Sequence, residues 1–224
     1  MTSTSEPPEP DDPTNTDVGV GPYPGPWPDD PRFDPELLAQ GDRRNVIDRY
    51  RYWTMPAIIA DLDARRQAIR PARLQVAIQN WQHDFNIGSM VRTANAFNVE
   101  LVHIVGRRRW NRRGAMVTDR YLHVVHQPDE QALADHCKAE ELTMVGVDNL
   151  PGSVPLETTE LPQACCLVFG SEGPGLTPEM VDKCEKLVAI SQYGSTRSFN
   201  AGAAAAITLY QWTLTHAGPA RVRE

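Results

Sequence analysis

From residue 74 onward, short apolar runs alternate with longer stretches in which apolar positions recur at helical spacing. Buried strands are predicted by the runs at residues 74–80, 100–106, 142–148 and from Cys165, with a shorter candidate at 121–125. Helical spacing occurs at residues 86–98, at 128–141 and from Ala201. Because strands that alternate with helices pair in parallel through right-handed crossovers, the pattern predicts an α/β fold with a mainly parallel sheet.

The N-terminal part of the chain follows a different pattern. Residues 1–36 hold ten of the 19 prolines and almost no aliphatic side chains, so we expect a disordered, acidic tail. Residues 37–73 show an apolar stripe, interrupted at Pro56, which predicts a helical extension. Residues 74–218 then form the main domain, and residues 219–224 a short C-terminal tail.

Composition is that of an ordinary globular protein. Of the 224 residues, 41% are hydrophobic, and no apolar run is long enough to span a bilayer. No charged and then apolar leader opens the chain, so we expect a soluble, cytoplasmic protein with no membrane contact. The four cysteines lack paired metal-ligand spacing, which favours buried free thiols over disulfides or a metal site. His103, His123 and His126 have no carboxylate or cysteine at ligand spacing, so no metal is expected.

The net charge of −7 is concentrated at the N-terminus. Residues 1–36 carry nine acids and one arginine, so residues 37–224 carry 20 acids against 21 bases. Eight arginines lie within residues 43–73. A second group surrounds Trp110 and consists of Arg107, Arg108, Arg109, Arg112 and Arg113. Each group is either a solvated face or a contact for RNA phosphate, which arginine binds through its planar fork. The second group follows a strand end, where open α/β sheets bind ligands, and is the better RNA candidate.

Two glycine-containing loops flank the last predicted strands. The first, GSEGPGLT, begins at Gly170 and has Leu176 where a Walker A loop needs lysine, and neither loop has the G-x-G-x-x-G dinucleotide fingerprint. Its glycines allow close backbone approach to a ligand, with Glu172 inside the loop. The alternative is a simple strand-to-helix connection with Glu172 near the positive helix N-terminus.

The second loop, ISQYGSTRSFNAGAAAAI, begins at Ile190 and places Ser198 and Asn200 just before a run of alanines. Side chains of this type cap a helix and can face a ligand. A third stretch, NIGSMVRTANAF, carries Asn86 and Arg92 at a predicted helix start. Together, these stretches resemble the three sequence motifs of the SpoU-type RNA ribose 2′-O-methyltransferases of the SPOUT superfamily.

This resemblance covers about residues 74–216 and has the three motifs in the right order. It matches Asn86 and Arg92 to the first motif and Gly170 and Glu172 to the second. The third motif is matched by Ile190, Ser198, Phe199 and Asn200. The chain departs from the family pattern at Asn98, often glycine in the family, and at Ser191, Phe199, Ala201 and Gly202.

The resemblance implies a C-terminal trefoil knot, a homodimer and methyl transfer from S-adenosylmethionine to a ribose 2′-hydroxyl in tRNA or rRNA. The cofactor would contact Gly170, Ile190 and Phe199, and the catalytic set would be Asn86, Arg92, Glu172, Ser198 and Asn200. Because a guanidinium is effectively always protonated, we expect Arg92 to hold phosphate and stabilise charge rather than accept a proton.

Two alternatives remain open at the level of the sequence. One is an RNA-binding module that keeps the fold without turnover, and binding of S-adenosylmethionine would argue against it. The other is methylation of a small molecule or a protein, against which the two arginine-rich segments argue. The sequence does not separate tRNA from rRNA substrates.

Overall fold

A computed structural model describes residues 19–81 and 86–218. The chain divides into two compact units, whose described parts are residues 19–58 and 59–218. The division falls within a helix, between Ile58 and Ile59, rather than at the predicted boundary after residue 73.

The second unit is built on a seven-stranded parallel sheet. Its strands are β1 (Arg73–Asn80), β2 (Leu101–Gly106), β3 (Val124–Gln127), β4 (Thr143–Val147), β5 (Val154–Pro155), β6 (Ala164–Phe169) and β7 (Lys186–Ala189). Their order is β3-β2-β1-β6-β4-β7-β5, and every pair is parallel. The predicted α/β class with a parallel sheet is therefore confirmed. The trefoil knot stays a prediction.

Three helices lie between strands, namely α3 (Asn86–Ala96), α4 (Glu130–Ala139) and α5 (Pro178–Val181). In addition, α2 (Met55–Ala68) precedes β1, and α6 (Ala201–His216) follows β7. The predicted strand at 121–125 lies further along the chain, because residues 118–121 form a 3-10 turn. Pro56 does not interrupt its helix. It stands in the first turn of α2, where the missing N–H has no partner to lose.

The sheet is covered by hydrophobic side chains on both faces. Alternate residues of one strand belong to different clusters: Val76 and Ile78 pack with α3 and α6, whereas Ala77 packs with α4 and α5. Strands covered on both sides read as continuous apolar runs, which is why the sequence pattern located them well. All four cysteines are free thiols, as predicted, and Cys184 is half-buried while the others are buried.

Asn98 explains one departure from the family pattern. It adopts a left-handed conformation with φ 51°, which asparagine tolerates better than most residues other than glycine. Its side chain donates to the Leu62 carbonyl at 3.2 Å and accepts from Arg66. The side chain therefore ties α2 to the end of α3, a contact that glycine could not make.

The first unit corrects the prediction of a tail disordered through residue 36. Residues 19–36 include the start of α1 (Pro35–Gln40) and antiparallel bridges from Val20 to Asp42 and from Phe33 to Trp53. Residues 19–36 have few aliphatic side chains, but their aromatic side chains supply the packing. Tyr23, for example, packs edge-on against Phe33 and Tyr52. Residues 1–18, also part of that prediction, lie outside the described residues.

Asp42 is the buried centre of the first unit. Its carboxylate accepts bonds from the Arg44 guanidinium at 2.7 and 2.9 Å and from the Tyr52 N–H at 2.9 Å. Burial alone would raise the pKa of Asp42, but these bonds lower it below the ordinary value. In the part of the chain that is described, no helix is both apolar and long enough to cross a bilayer.

The three histidines noted in the sequence have separate partners. His123 meets Asp63 and His126 meets the Gly106 carbonyl, whereas His103 is fully buried within β2. Across residues 19–81 and 86–218, no three His, Cys, Asp or Glu side chains are grouped to hold a metal ion.

His103 lies inside a buried polar network. Its Nε2 donates to the Gln75 side-chain oxygen at 2.8 Å, and its Nδ1 accepts from Gln127 at 3.1 Å. The His136 ring also meets the Gln75 oxygen, at 2.9 Å. Both ring nitrogens of neutral His103 are thus satisfied. Burial, with a smaller effect from His136, lowers the pKa of His103 from 6.5 to about 3.

We expect His103 to make folding acid-sensitive. The unfolded chain takes up a proton near pH 6.5 and the folded chain only near pH 3, so stability is full above pH 6.5 and falls below it. The loss should approach about 1.4 kcal/mol per pH unit from this residue. Urea unfolding of parental and His103→Gln protein between pH 7 and pH 4 measures it. An equally steep fall in the variant would contradict the assignment.

Candidate functional site

A cleft of about 340 Å³ lies where β4, β6 and β7 end. Its lining comes from three loops and the start of α6, and includes Val147, Asp148, Asn149, Phe169, Gly170, Ser171, Glu172, Gly173, Gly175, Ile190, Gln192, Ser198, Phe199, Asn200, Ala201 and Ala204. The predicted cofactor residues Gly170, Ile190 and Phe199 are all among them. In open α/β sheets, ligands usually bind at the carboxyl ends of the parallel strands.

The first glycine loop folds back on itself at the edge of the cleft. Gly175, at φ 75°, donates from its N–H to the Ser171 carbonyl at 2.9 Å. A Cβ on Gly170 would lie 2.0 Å from the carbonyl carbon of Gly175. The glycine at 170 is therefore required by the returning loop itself, and not only by the approach of a ligand.

Asp148 holds this loop in place, and sequence analysis missed it. One carboxylate oxygen accepts from the Leu176 N–H at 2.8 Å, and the other from the Asn149 N–H at 2.7 Å. Asp148 belongs to no motif, because no second acidic residue lies at a fixed spacing from it. The sequence did place its carboxylate directly after an apolar strand, at the edge of the sheet where ligands bind, and this position could have identified it.

Asn86 joins the three motifs through its side chain. Its Nδ2 donates to the Glu172 carboxylate, and its Oδ1 accepts from the Asn200 Nδ2 at 2.9 Å. Asn200 also caps α6, as predicted, by accepting from the N–H groups of Gly202 and Ala203 at 3.0 and 3.3 Å. Asn86 thus joins Glu172 and Asn200, which both line the cleft, into one polar chain.

The first turn of α3 is in close contact on two sides. A Cβ on Gly88 would lie 2.8 Å from the Ala115 nitrogen and 2.9 Å from the Asn111 carbonyl. On the other side, a Cβ on Gly202 would lie 2.7 Å from the Ser89 hydroxyl. The turn therefore separates the segment after the arginines from the start of α6. Glycine at 202, where the family has serine, permits this close approach, and a larger residue would displace the Ser89 hydroxyl.

Arg92 and Ser198 occupy different places relative to the cleft. Ser198 is exposed and lines it. Arg92 is exposed on α3 and does not line the cleft. It lies three residues after Ser89 and therefore on the same face of the helix. In residues 19–81 and 86–218 Arg92 has no ion pair or hydrogen bond, so its guanidinium is available to a ligand.

Another departure from the family pattern, Ser191, also has a partner. Its hydroxyl binds the Glu157 carboxylate, and this hydrogen bond lowers the pKa of Glu157. Proline at this position could not supply that bond. The contact ties the loop after β7 to the turn that follows β5.

Most arginines of residues 43–73 are used inside the structure. The pairs are Arg44–Asp42, Arg51–Asp48, Arg65–Asp61, Arg66–Asp63, Arg70–Glu100, Arg73–Glu100 and Arg73–Glu140. Arg49 lies over the Trp53 ring, 6.0 Å from its centre. A guanidinium that already has a carboxylate partner must give up that partner when it binds phosphate, so this segment is a weaker polyanion site than its arginine count suggests.

The segment 107–113 is different in this respect. Among the described residues, Arg107, Arg108, Arg109 and Arg113 are exposed and have no acidic partner. Arg112 lies 3.3 Å from Asp119 and 5.4 Å from the centre of the Trp110 ring. The Asn80 amide fixes the backbone by donating to the carbonyls of residues 107 and 109, at 2.6 and 3.0 Å. We call residues 107–113 the arginine segment.

The cleft has apolar walls and an acidic rim. Ile190, Phe199 and Ala204 supply apolar surface, while Asp148 and Glu172 supply carboxylates, and the described residues of the lining include no lysine or arginine. Such a cleft suits a ligand with a flat aromatic part and a positive charge.

Two curated relatives match about 70% of the chain. An uncharacterized tRNA/rRNA methyltransferase from Synechocystis sp. is 31% identical over 172 residues, which cover 72% of this chain and 42% of that protein. The tRNA (guanosine(18)-2′-O)-methyltransferase of Escherichia coli is 26% identical over 162 residues, which cover 70% of this chain and 69% of that protein. The chain thus spans less than half of the first relative and about two thirds of the second.

Solved structures of similar fold include the SpoU methyltransferase AviRb from Streptomyces viridochromogenes, in complex with the cofactor AdoMet. The TM-score is 0.60 at 25% identity, over 65% of this chain and 61% of that one. The sequence model of the SpoU rRNA Methylase family matches residues 73–210. This range contains the sheet, the cleft and all three motifs, and the chain belongs to the SpoU rRNA methylase family.

Proposed function

We propose that this protein uses S-adenosylmethionine to methylate a ribose 2′-hydroxyl of tRNA or rRNA in the cytoplasm. The observation that carries the proposal is the polar chain from Glu172 through Asn86 to Asn200, which unites the three motifs at one cleft. Family membership and the named activity of the Escherichia coli relative support the same reaction.

The cleft suits S-adenosylmethionine in shape and charge. Its volume of about 340 Å³ lies in the usual range for small-molecule sites. Ile190 and Phe199 would pack against the adenine ring, and the backbone at Gly170 would border it. The carboxylates of Asp148 and Glu172 would favour the positive sulfonium and ammonium groups. When bound, the cofactor supplies an electrophilic methyl group.

The arginine segment is the proposed RNA contact. It packs against the first turn of α3, and that turn also bonds to Asn200 at the cleft. An RNA phosphate held by these arginines would therefore bring a neighbouring nucleotide towards the cleft. Arg92, exposed on the same helix, would hold a further phosphate and stabilise negative charge that develops on the ribose oxygen. Ser198, at the cleft, would bond near the reacting groups.

A methyl-transfer assay with tritiated S-adenosylmethionine and bulk tRNA or rRNA from cells lacking the gene tests the activity. We expect Arg92→Ala to lower kcat at least 100-fold and to leave cofactor affinity unchanged, since Arg92 lies outside the cleft lining. Arg92→Lys should also lose most activity because an ammonium lacks the two-pronged phosphate contact. Near-normal activity of the lysine variant would refute a two-pronged contact between Arg92 and phosphate.

Calorimetric titration of S-adenosylmethionine into the parental protein serves as the control. Cofactor binding together with methyl transfer supports the proposed enzymatic activity. If the protein neither binds S-adenosylmethionine nor methylates any RNA, the chain is an RNA-binding module with the same fold.

Neutralising the arginine segment should reduce the salt dependence of RNA binding. Each phosphate that is no longer neutralised lowers the slope of log affinity against log salt by roughly 0.7 to 0.9, so glutamine at Arg108, Arg109 and Arg113 should remove about two units. Fluorescence anisotropy with labelled RNA at several salt concentrations measures this slope. The matched control places glutamine at Arg43, Arg49 and Arg65, and should keep the parental slope. The reverse result would move the RNA site to residues 43–73.

The proposed assembly is a homodimer formed through α6. Three large apolar side chains stay exposed along this helix, Ile207, Tyr210 and Leu214, which are 40%, 56% and 60% accessible. They are three and four residues apart and therefore form one stripe. Phe97, directly after α3, extends the stripe, since its ring lies 6.4 Å from that of Tyr210. A contiguous apolar stripe of this kind is typical of a protein interface.

Serine at both Tyr210 and Leu214 should convert the dimer into a monomer. Light scattering after size exclusion should give the parental protein about twice the chain mass of 25.0 kDa, and the double variant about one chain mass. Val154→Ser, which removes an exposed apolar side chain from β5, is the control and should stay dimeric. A parental protein of one chain mass would refute the dimer.

A further inference from the structure

The loop of residues 192–199 has a fixed base and a projecting centre. At the base, the Arg197 carbonyl accepts from the side chains of Gln192 and Asn149, at 3.4 and 3.5 Å. Gln192, Ser198 and Phe199 line the cleft. Tyr193 to Arg197 are all exposed, and a Cβ on Gly194 would meet nothing within 4 Å. The side chains of the loop centre therefore stand in solvent beside the cleft.

Tyr193 is the most exposed large apolar residue of the described chain, with 95% of its surface accessible. Among the described residues of the second unit, two further aromatic side chains are exposed, and each belongs to a different surface. Phe199 lines the cleft, and Tyr210 lies on the apolar stripe of α6. Tyr193 alone among these aromatic side chains is left open next to the cleft and without a packing partner.

Arg197 brings a positive charge to the same loop. It is exposed and, within residues 19–81 and 86–218, has no ion pair or side-chain hydrogen bond, whereas most arginines of residues 43–73 have acidic partners. The hydrogen bonds to its carbonyl fix its backbone directly before Ser198. The backbone of Arg197 is therefore held beside the cleft, whose lining includes no lysine or arginine among the described residues.

We propose that Tyr193 and Arg197 form a clamp for the target nucleotide of a single-stranded RNA segment. The Tyr193 ring stacks on the base, and the Arg197 guanidinium binds the adjoining phosphate. The inference rests on the proposed RNA methylation and deepens it by assigning the residues that select the nucleotide conformation.

The chemistry of RNA favours this assignment. A nucleotide inside an RNA helix is held by base stacking and pairing, so a nucleotide that enters a cleft must leave the stack, and its base is then stabilised by another aromatic surface. Stacking on an aromatic side chain tolerates every base, whereas an arginine fork fixes the position of the backbone. Together they orient the ribose without reading the sequence. The arginine segment, on the other side of the first turn of α3, would supply the remaining phosphate contacts.

Steady-state methyl transfer to bulk tRNA or rRNA from cells lacking the gene tests the clamp. Tyr193→Ala and Arg197→Gln should each raise the KM for RNA roughly tenfold or more, with S-adenosylmethionine affinity and thermal stability unchanged. Tyr193→Phe should behave like the parental protein because the ring is kept. Arg197→Lys should recover only part of the loss. The controls are Trp27→Ala, an exposed aromatic residue of the first unit, and Arg65→Gln.

The outcomes separate the clamp from the reaction itself. If the parental protein transfers methyl groups and Tyr193→Ala keeps the parental KM, the clamp is wrong and the proposed function stands. If the parental protein transfers no label, binding of a fluorescein-labelled single-stranded RNA still decides: weaker binding by Tyr193→Ala and Arg197→Gln, but not by the controls, supports the clamp without the reaction. Equal loss in Tyr193→Phe and Tyr193→Ala would overturn the stacking role.

Discussion

The candidate site depends on one asparagine side chain that bonds in two directions. Asn86 donates to Glu172 and accepts from Asn200, because a carboxamide offers a donor and an acceptor side by side in fixed positions. An aspartate would repel Glu172, and a leucine would leave both partners without this bond. Because the three residues come from distant parts of the chain, this one amide sets the spacing of the loops around the cleft.

The sequence predicted the sheet well because its strands are buried on both faces and read as apolar runs. It was less informative where side chains pair across long distances. The partners of Arg70 and Arg73 are Glu100 and Glu140, which lie 27 to 67 positions away, so a count of arginines could not separate paired from free charges. The tail was misjudged for a related reason, since the half-buried Tyr23 packs against aromatic residues that follow it in the chain.

The site residues also divide into those that the sequence identified and those that it did not. Four site residues stand at recognisable motif positions. Three of them, Glu172, Ser198 and Asn200, line the cleft with the predicted cofactor residues, and Asn86 bonds to Asn200. Asp148 had no motif, because its role is to accept the Leu176 N–H from a loop 28 positions later, and such a bond leaves no pattern in the sequence. Asn98 and Gly202 show that departures from a family pattern can have local physical causes, a left-handed backbone in one case and a close approach to Ser89 in the other.

The tight packing around the start of α3 has a consequence for how the two ligands affect each other's affinity. Gly88 and Gly202 bring the arginine segment and the start of α6 into close contact with the two sides of this turn, so a shift of the turn would affect both. A ligand that moves or stiffens one side must change the free energy of the other, and such coupling acts equally in both directions. Occupation of the cleft and occupation of the arginine segment should therefore be linked, so that each ligand alters the affinity for the other by the same factor.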